Sequence, residues 1–369
     1  MTNLASGDGE ASRFGVSVAK GDQGASSSAS TRPTRQKLNI DDYARGVLAA
    51  DRAVLGRAIS LIESTRAADE SIAQQLLERL LPNTGRALRI GLTGMPGAGK
   101  STFIEKLGIM LTERGHRVAV LAIDPTSRVS GGSILGDRTR MSKLSGDARA
   151  FIRPSPSGGT LGGIARKTRE AMLVCEAAGF DIVLIETVGV GQNETAIADM
   201  SDVVVALAIP GAGDELQGIK RGLLELVDVI AVNKADGENA AKARTAAAEY
   251  AAALRVMRGE DERSRVSVLT CSALTGDGVW RVFEEAHSRY QQLRESGMLA
   301  PRRRSQDRHW LLSLLHERLD RLLIDLPGAR AALTDAESAV TEGRTPPVVA
   351  VERVINALRT EFRGESRGY

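Results

Sequence analysis

Gly94-Met95-Pro96-Gly97-Ala98-Gly99-Lys100-Ser101 has the pattern GxxxxGKS, directly after an apolar run, Leu88–Thr93, and directly before a helical pattern, Thr102–Arg114. Glycines at these places let backbone N–H groups curl around phosphate oxygens without Cβ clashes, and the N-terminus of the following helix adds a favourable dipole. In this setting Lys100 is expected to contact the β- and γ-phosphates of a nucleotide and Ser101 to ligate Mg²⁺. Three acids follow or lie near the ends of later apolar runs. Asp124 closes Val118–Ile123, Asp137 sits in the stretch Gly131–Met141, and Glu186 follows Ile182–Ile185. On loops at the phosphate side of a sheet they could hold Mg²⁺, directly or through water, and orient an attacking water.

The base is chosen further along. Asn233-Lys234-Ala235-Asp236 ends the run Val229–Val232, an NKxD arrangement that resembles the guanine-reading element of GTPases. A carboxylate at Asp236 can accept from both guanine N1–H and the exocyclic amine, whereas adenine has no N1–H, so guanine is favoured. Ser272-Ala273-Leu274 follows Val266–Thr270 and resembles a third base-contacting element, in which the Ala273 N–H would approach guanine O6. Glu186 opens Glu186-Thr187-Val188-Gly189-Val190-Gly191-Gln192. Val190 occupies the place where a Ras-like GTPase has its water-orienting glutamine, which implies slow intrinsic hydrolysis.

Short apolar runs separated by helical stretches must position these loops. Leu88–Thr93, Val118–Ile123, Ile182–Ile185, Val203–Ile209, Val229–Val232 and Val266–Thr270 alternate with helical patterns, which predicts an α/β fold of P-loop type with a mostly parallel sheet. Helical spacing precedes it, from Ile40 to Leu81, and Pro82–Gly85 ends that region. Beyond Gly297 the strands stop. Two amphipathic stretches follow, Trp310–Leu326 and Val351–Phe362, with too few neighbouring elements to cover both stripes, so packing against a second copy is expected. The expected organisation is a disordered tail over 1–36, a helical region over 37–86, a nucleotide-binding domain over 87–297 and a helical dimerisation region over 298–369.

The tail is rich in Gly and Ser and poor in large apolar side chains, so it cannot offset the entropy of ordering. Arg13, Lys20, Arg32 and Arg35 hint at a transit peptide, but Asp8, Glu10 and Asp22 argue against one. Lys+Arg 49 against Asp+Glu 46 gives +3, too balanced for nucleic acid or an anionic membrane as the main partner. No run approaches the ~18 apolar residues of a spanning helix. Two lone cysteines, Cys175 and Cys271, exclude a disulfide framework and fit a reducing cytoplasm. His116, His287, His309 and His316 are scattered, which disfavours a metal-delivery GTPase, and no base or docking groove for phosphorylating a protein can be located.

GMPGAGKST, IDPTSRVSGGSILGDRTRM, ETVGVGQNE, IPGAGDELQGIKRGLLELVD, NKAD and CSALTGDGV together resemble the MeaB/ArgK-type GTPases, the family of the methylmalonic aciduria type A protein. The likeness runs from Ile40 to the C-terminal helices. It implies a homodimeric P-loop GTPase of the SIMIBI class that binds GTP or GDP with Mg²⁺. It also implies a chaperone that gates adenosylcobalamin loading and protects methylmalonyl-CoA mutase or a related acyl-CoA mutase. By the same resemblance Gly97, Ala98, Gly99, Lys100, Ser101 and Thr102 form the phosphate loop, and Ser101, Asp124, Asp137 and Glu186 form the Mg²⁺ and catalytic region with Lys100. Asn233, Lys234 and Asp236 read guanine, backed by Ser272, Ala273 and Leu274. Pro210–Lys220 matches a mobile loop that couples nucleotide to mutase.

Overall fold

The computed structural model describes residues 38–123, 141–154, 161–187, 193–211, 221–258 and 266–365. Asn39 opens α1 (Ile40–Leu48) with a reciprocal cap: its Oδ1 accepts from the Asp42 N–H at 2.8 Å, and the Asp42 carboxylate accepts from the Asn39 N–H at 3.3 Å. After α2 (Arg52–Glu63) and α3 (Ala67–Leu80), the chain alternates strand and helix. The order is β1 (Leu88–Gly94), α4 (Lys100–Glu113), β2 (Val118–Ile123), α5 (Ser142–Ser145), β3 (Ala150–Arg153), α6 (Leu161–Ala177), β4 (Ile182–Thr187), α7 (Asn193–Ala198) and β5 (Val203–Ala208). There follow α8 (Arg221–Leu226), β6 (Val229–Val232), α9 (Asn239–Arg258), β7 (Ser267–Thr270) and α10 (Val279–Glu295). The C-terminal helices are α11 (Leu299–Asp325), α12 (Pro327–Thr341) and α13 (Pro347–Glu365).

Seven strands form one parallel sheet in the order β3-β2-β4-β1-β5-β6-β7. The two faces bury separate cores, as continuous Val/Ile/Leu runs require when helices cover both sides. Leu55, Ile59 and Leu76 of the N-terminal helices share one of these cores with Val183 and Phe151. Strand order reverses at β1, so its C-terminal end opens a crevice between the ends of β4 and β5, the place where open α/β sheets bind ligands. Six of the strands coincide with the apolar runs. The seventh, β3, is a four-residue edge strand of mixed character ending before Pro154, and hydrophobic patterning does not expose such a strand.

Gly297, at φ 71°, separates α10 from α11. The Trp310–Leu326 stripe, read as a packing surface, is covered in part: Trp310, Leu314 and Leu326 are half-buried, whereas Leu311, Leu315 and Leu319 are 64%, 50% and 45% exposed. The amphipathic reading also missed α12, which is alanine-rich and buries only Ala329, Ala336 and Ala339 against its neighbours. The tail over 1–36 lies outside the described residues. No helix among the described residues is long and apolar enough to cross a membrane.

Candidate functional site

Gly94 ends β1 at φ 138°, and a Cβ there would stand 2.2 Å from the Leu207 carbonyl oxygen of β5. The loop then turns through Gly97 at φ 78° and Gly99 at φ 85°, left-handed backbone that favours glycine. Lys100 begins α4, and its buried ammonium donates to the Gly94 carbonyl at 2.7 Å and the Met95 carbonyl at 3.2 Å. Burial lowers its pKa below the ordinary lysine value, and the Glu186 carboxylate acts in the opposite sense. Ser101 Oγ donates to Glu186 Oε1 at 2.9 Å. Glu186 reaches this position because β4 lies between β1 and β2, in register with Leu92 on one side and Ala122 on the other. The sheet thus brings Lys100, Ser101 and Glu186 together from two strand ends. Asp124, Asp137 and Val190 lie outside the described residues, as does the segment Pro210–Lys220 beyond Gly211.

The Ser101 hydroxyl and Glu186 carboxylate are hard oxygen donors beside a lysine, a donor set suited to Mg²⁺ with the remaining positions filled by water and phosphate. Among the described residues no three His, Cys, Asp or Glu side chains cluster as a metal site. The four histidines do not converge. His116 pairs with Asp181, His309 faces Asp199, and His287 stacks against Phe283 and Tyr290. His316 belongs to α11.

Across the crevice, β6 and β7 end side by side and deliver the other two loops. Asn233 is buried, and its Nδ2 donates to the Ala98 carbonyl at 2.7 Å while its Oδ1 accepts from the Ala273 N–H at 2.9 Å. The N–H expected to face guanine O6 is therefore engaged with Asn233 in this structure. Lys234 adopts φ 61°, turning the chain so that Asp236 meets Ser272, whose hydroxyl donates to Asp236 Oδ2 at 2.5 Å. The same Ser272 Oγ accepts from the Thr275 N–H at 3.2 Å, which closes the turn. Leu274 projects from this turn, 77% exposed. Sequence reasoning assigned Asn233 to the base; its bridging of two loops was invisible, because the partners are a carbonyl 135 residues away and an N–H 40 residues away.

A parallel sheet with a phosphate loop at its strand-order reversal, and NKxD and SAL loops beside it, defines a P-loop GTPase. The family model described as methylmalonyl Co-A mutase-associated GTPase MeaB matches residues 55–326, and the chain belongs to that family. It is 44% identical over 336 residues to the mitochondrial methylmalonic aciduria type A homolog of Mus musculus, covering 88% of this chain and 81% of that one. It is 46% identical over 275 residues to the GTPase ArgK of Escherichia coli, covering 74% and 83% respectively. The crystal structure of a LAO/AO transport system kinase superposes with a TM-score of 0.71 at 34% identity, over 88% of this chain and 100% of the other.

Proposed function

We propose that this GTPase is a nucleotide-driven chaperone of an adenosylcobalamin-dependent mutase, methylmalonyl-CoA mutase or a related acyl-CoA mutase, gating its cofactor loading and protecting it from inactivation. The observation that carries the reading is the match of residues 55–326 to a family described by its association with that mutase. A relative named for methylmalonic aciduria supports it. In this reading Gly97–Thr102 wrap the phosphates through their N–H groups, and Lys100 leaves its carbonyl partners to meet the β- and γ-phosphates. Ser101 and Glu186, with Asp124 and Asp137, would hold Mg²⁺, which supplies neutralisation of phosphate charge. Asp236, oriented by Ser272, accepts from the guanine edge, and Lys234 and Leu274 flank it. The working form is a homodimer joined through the exposed leucines of α11, in a reducing cytoplasm that suits two free, buried cysteines.

Gel filtration of the purified chain with purified methylmalonyl-CoA mutase, in GDP and in a non-hydrolysable GTP analogue, tests the partner. Co-elution in at least one nucleotide state is expected, and separate elution in both would overturn the assignment. A second reading comes from the likeness to a solved protein named as a transport system kinase. Under it, the chain transfers the γ-phosphate to a protein rather than to water. γ-Labelled GTP distinguishes the two, since the chaperone reading requires label only in inorganic phosphate.

A further inference from the structure

A serine hydroxyl carries one proton, so what it accepts decides where it donates. Ser272 Oγ accepts from the Thr275 N–H at 3.2 Å, and its proton goes to Asp236 Oδ2 at 2.5 Å. The Thr275 N–H therefore fixes Ser272 as the donor that holds the carboxylate. Thr275 is fixed in turn by its own side chain, whose Oγ1 donates to Asp277 Oδ2 at 2.7 Å and accepts from the Asp277 N–H at 3.3 Å. The Asp277 carbonyl closes the circuit by accepting from the Ser272 N–H at 2.8 Å. An unbroken hydrogen-bonded path thus runs from Asp277 through Thr275 and Ser272 to Asp236.

Asp277 has a competing task that it does not perform. It stands beside Gly278, the N-cap of α10, where a carboxylate ordinarily caps a helix, yet no side chain caps α10. Its carboxylate turns back to Thr275 instead. The rest of the turn is seated on both sides. Gly276 takes φ 96°, and a Cβ there would run into the Lys106 stem and stand 3.2 Å from Met110 Cε, so the turn rests on α4, the helix that begins with Lys100 and Ser101. Gly278 takes φ 72°, and a Cβ there would stand 2.5 Å from the Thr270 carbonyl oxygen at the end of β7. With both glycines seated, the exposed corner at Leu274 and Thr275 is placed by the Asp277 latch.

We propose that Thr275 and Asp277 are positioning residues for base selection: they hold the Ser272 hydroxyl on Asp236 and so keep that carboxylate in the plane where it accepts from N1–H and the exocyclic amine together. The inference rests on the reading of Asp236 as the guanine acceptor. A carboxylate free to rock still meets one donor and loses the second. The loss then falls on guanine more than on hypoxanthine, which has N1–H and no exocyclic amine. Thr275 and Asp277 are exposed, so replacing them leaves no buried group unpaired, and selectivity can change without loss of the fold.

The test is the affinity of the full chain for GDP and for IDP, the hypoxanthine nucleotide, by competition against a fluorescent GDP analogue. The unmodified chain is expected to favour GDP on the order of 10- to 100-fold, the share of one hydrogen bond to a charged acceptor. Thr275→Val keeps the shape and removes the hydroxyl, and Asp277→Ala removes its acceptor; each is expected to lower the preference on the order of 5-fold. Thr275→Ser restores the hydroxyl and is expected to keep it. A preference unchanged within about twofold in either of the first two variants overturns the proposal. So does an equal fall in GDP and IDP affinity, the mark of a merely structural role, or a loss in Thr275→Ser as large as in Thr275→Val. If Thr275→Val does not fold, Asp277→Ala decides. An unmodified chain that binds GDP and IDP equally would instead strike at the reading of Asp236, which separates the two failures.

Discussion

Asn233 and Ala98 are joined by a 2.7 Å hydrogen bond from the side-chain amide to the carbonyl, and this bond makes the guanine-reading loop and the phosphate loop one unit. Gly99 sits under the contact, where a Cβ would stand 2.7 Å from Asn233 Nδ2. Asn233→Ala leaves the Ala98 carbonyl and the buried Ala273 N–H without partners, at ~1–3 kcal/mol for each. The variant should melt at a lower temperature and bind GDP weakly, and Gly99→Ala should weaken GDP binding by pushing the same two loops apart. Calorimetry and fluorescence titration check both, and a normal melting temperature for Asn233→Ala would contradict the coupling.

Asp236 is the proposed reader of the guanine edge, held by Ser272 at 2.5 Å. Asp236→Ala should lose several-hundred-fold or more in GDP affinity, about 3 kcal/mol or above, because two guanine donors lose their acceptor. Ser272→Ala should cost less, since it removes only the brace. Undiminished GDP binding in Asp236→Ala, or a preference of the unmodified chain for ADP, would refute the assignment.

Arg303 of α11 makes a bidentate pair with the fully buried Asp202, with bonds of 2.8 and 2.7 Å, and donates to the Gly85 and Ala87 carbonyls. Removing one partner of a buried pair leaves an uncompensated charge. Arg303→Ala should therefore destabilise by about 3–5 kcal/mol in chemical denaturation. Coupling Arg303→Met with Asp202→Asn should recover part of that loss.

The cysteines set a pH dependence. Burial raises the Cys271 thiol from its ordinary 9.0 to about 12 and raises Cys175 still further. A thiol whose folded pKa is raised contributes stability that is complete below the unfolded value and is lost as pH rises through the folded one. Stability should therefore decline above about pH 9 as the unfolded chain alone releases protons, and Cys271→Ala should flatten the decline. An alkylating reagent at that pH should modify neither cysteine until the chain unfolds. Rapid labelling of the native protein would contradict the burial.

The exposed leucines of α11 predict self-association. Light scattering should report a dimer at micromolar concentration, and Leu315→Glu should return it to a monomer. A monomeric full chain would remove the homodimer from the account.

Much of this was legible in the sequence because strands buried on both faces read as continuous apolar runs, and because GxxxxGKS, NKAD and SAL lie directly at their ends. β3 was not legible, since its apolar stretch is only Ala150-Phe151-Ile152 between Arg149 and Arg153, too short to stand out as a run or a period. Nor was α12, whose buried face is alanine. The bridging role of Asn233 depends on partners 135 and 40 residues away, which local spacing cannot encode.

The central claim, that this GTPase serves an acyl-CoA mutase, is tested most directly by single-turnover GTP hydrolysis with and without purified methylmalonyl-CoA mutase. With valine at position 190, where Ras-like GTPases have a water-orienting glutamine, hydrolysis by the chain alone should be slow. The mutase should accelerate it on the order of 10- to 1000-fold, below the full range of an arginine finger. Equal rates with and without the mutase, at concentrations where the two proteins would be saturated, would contradict the claim.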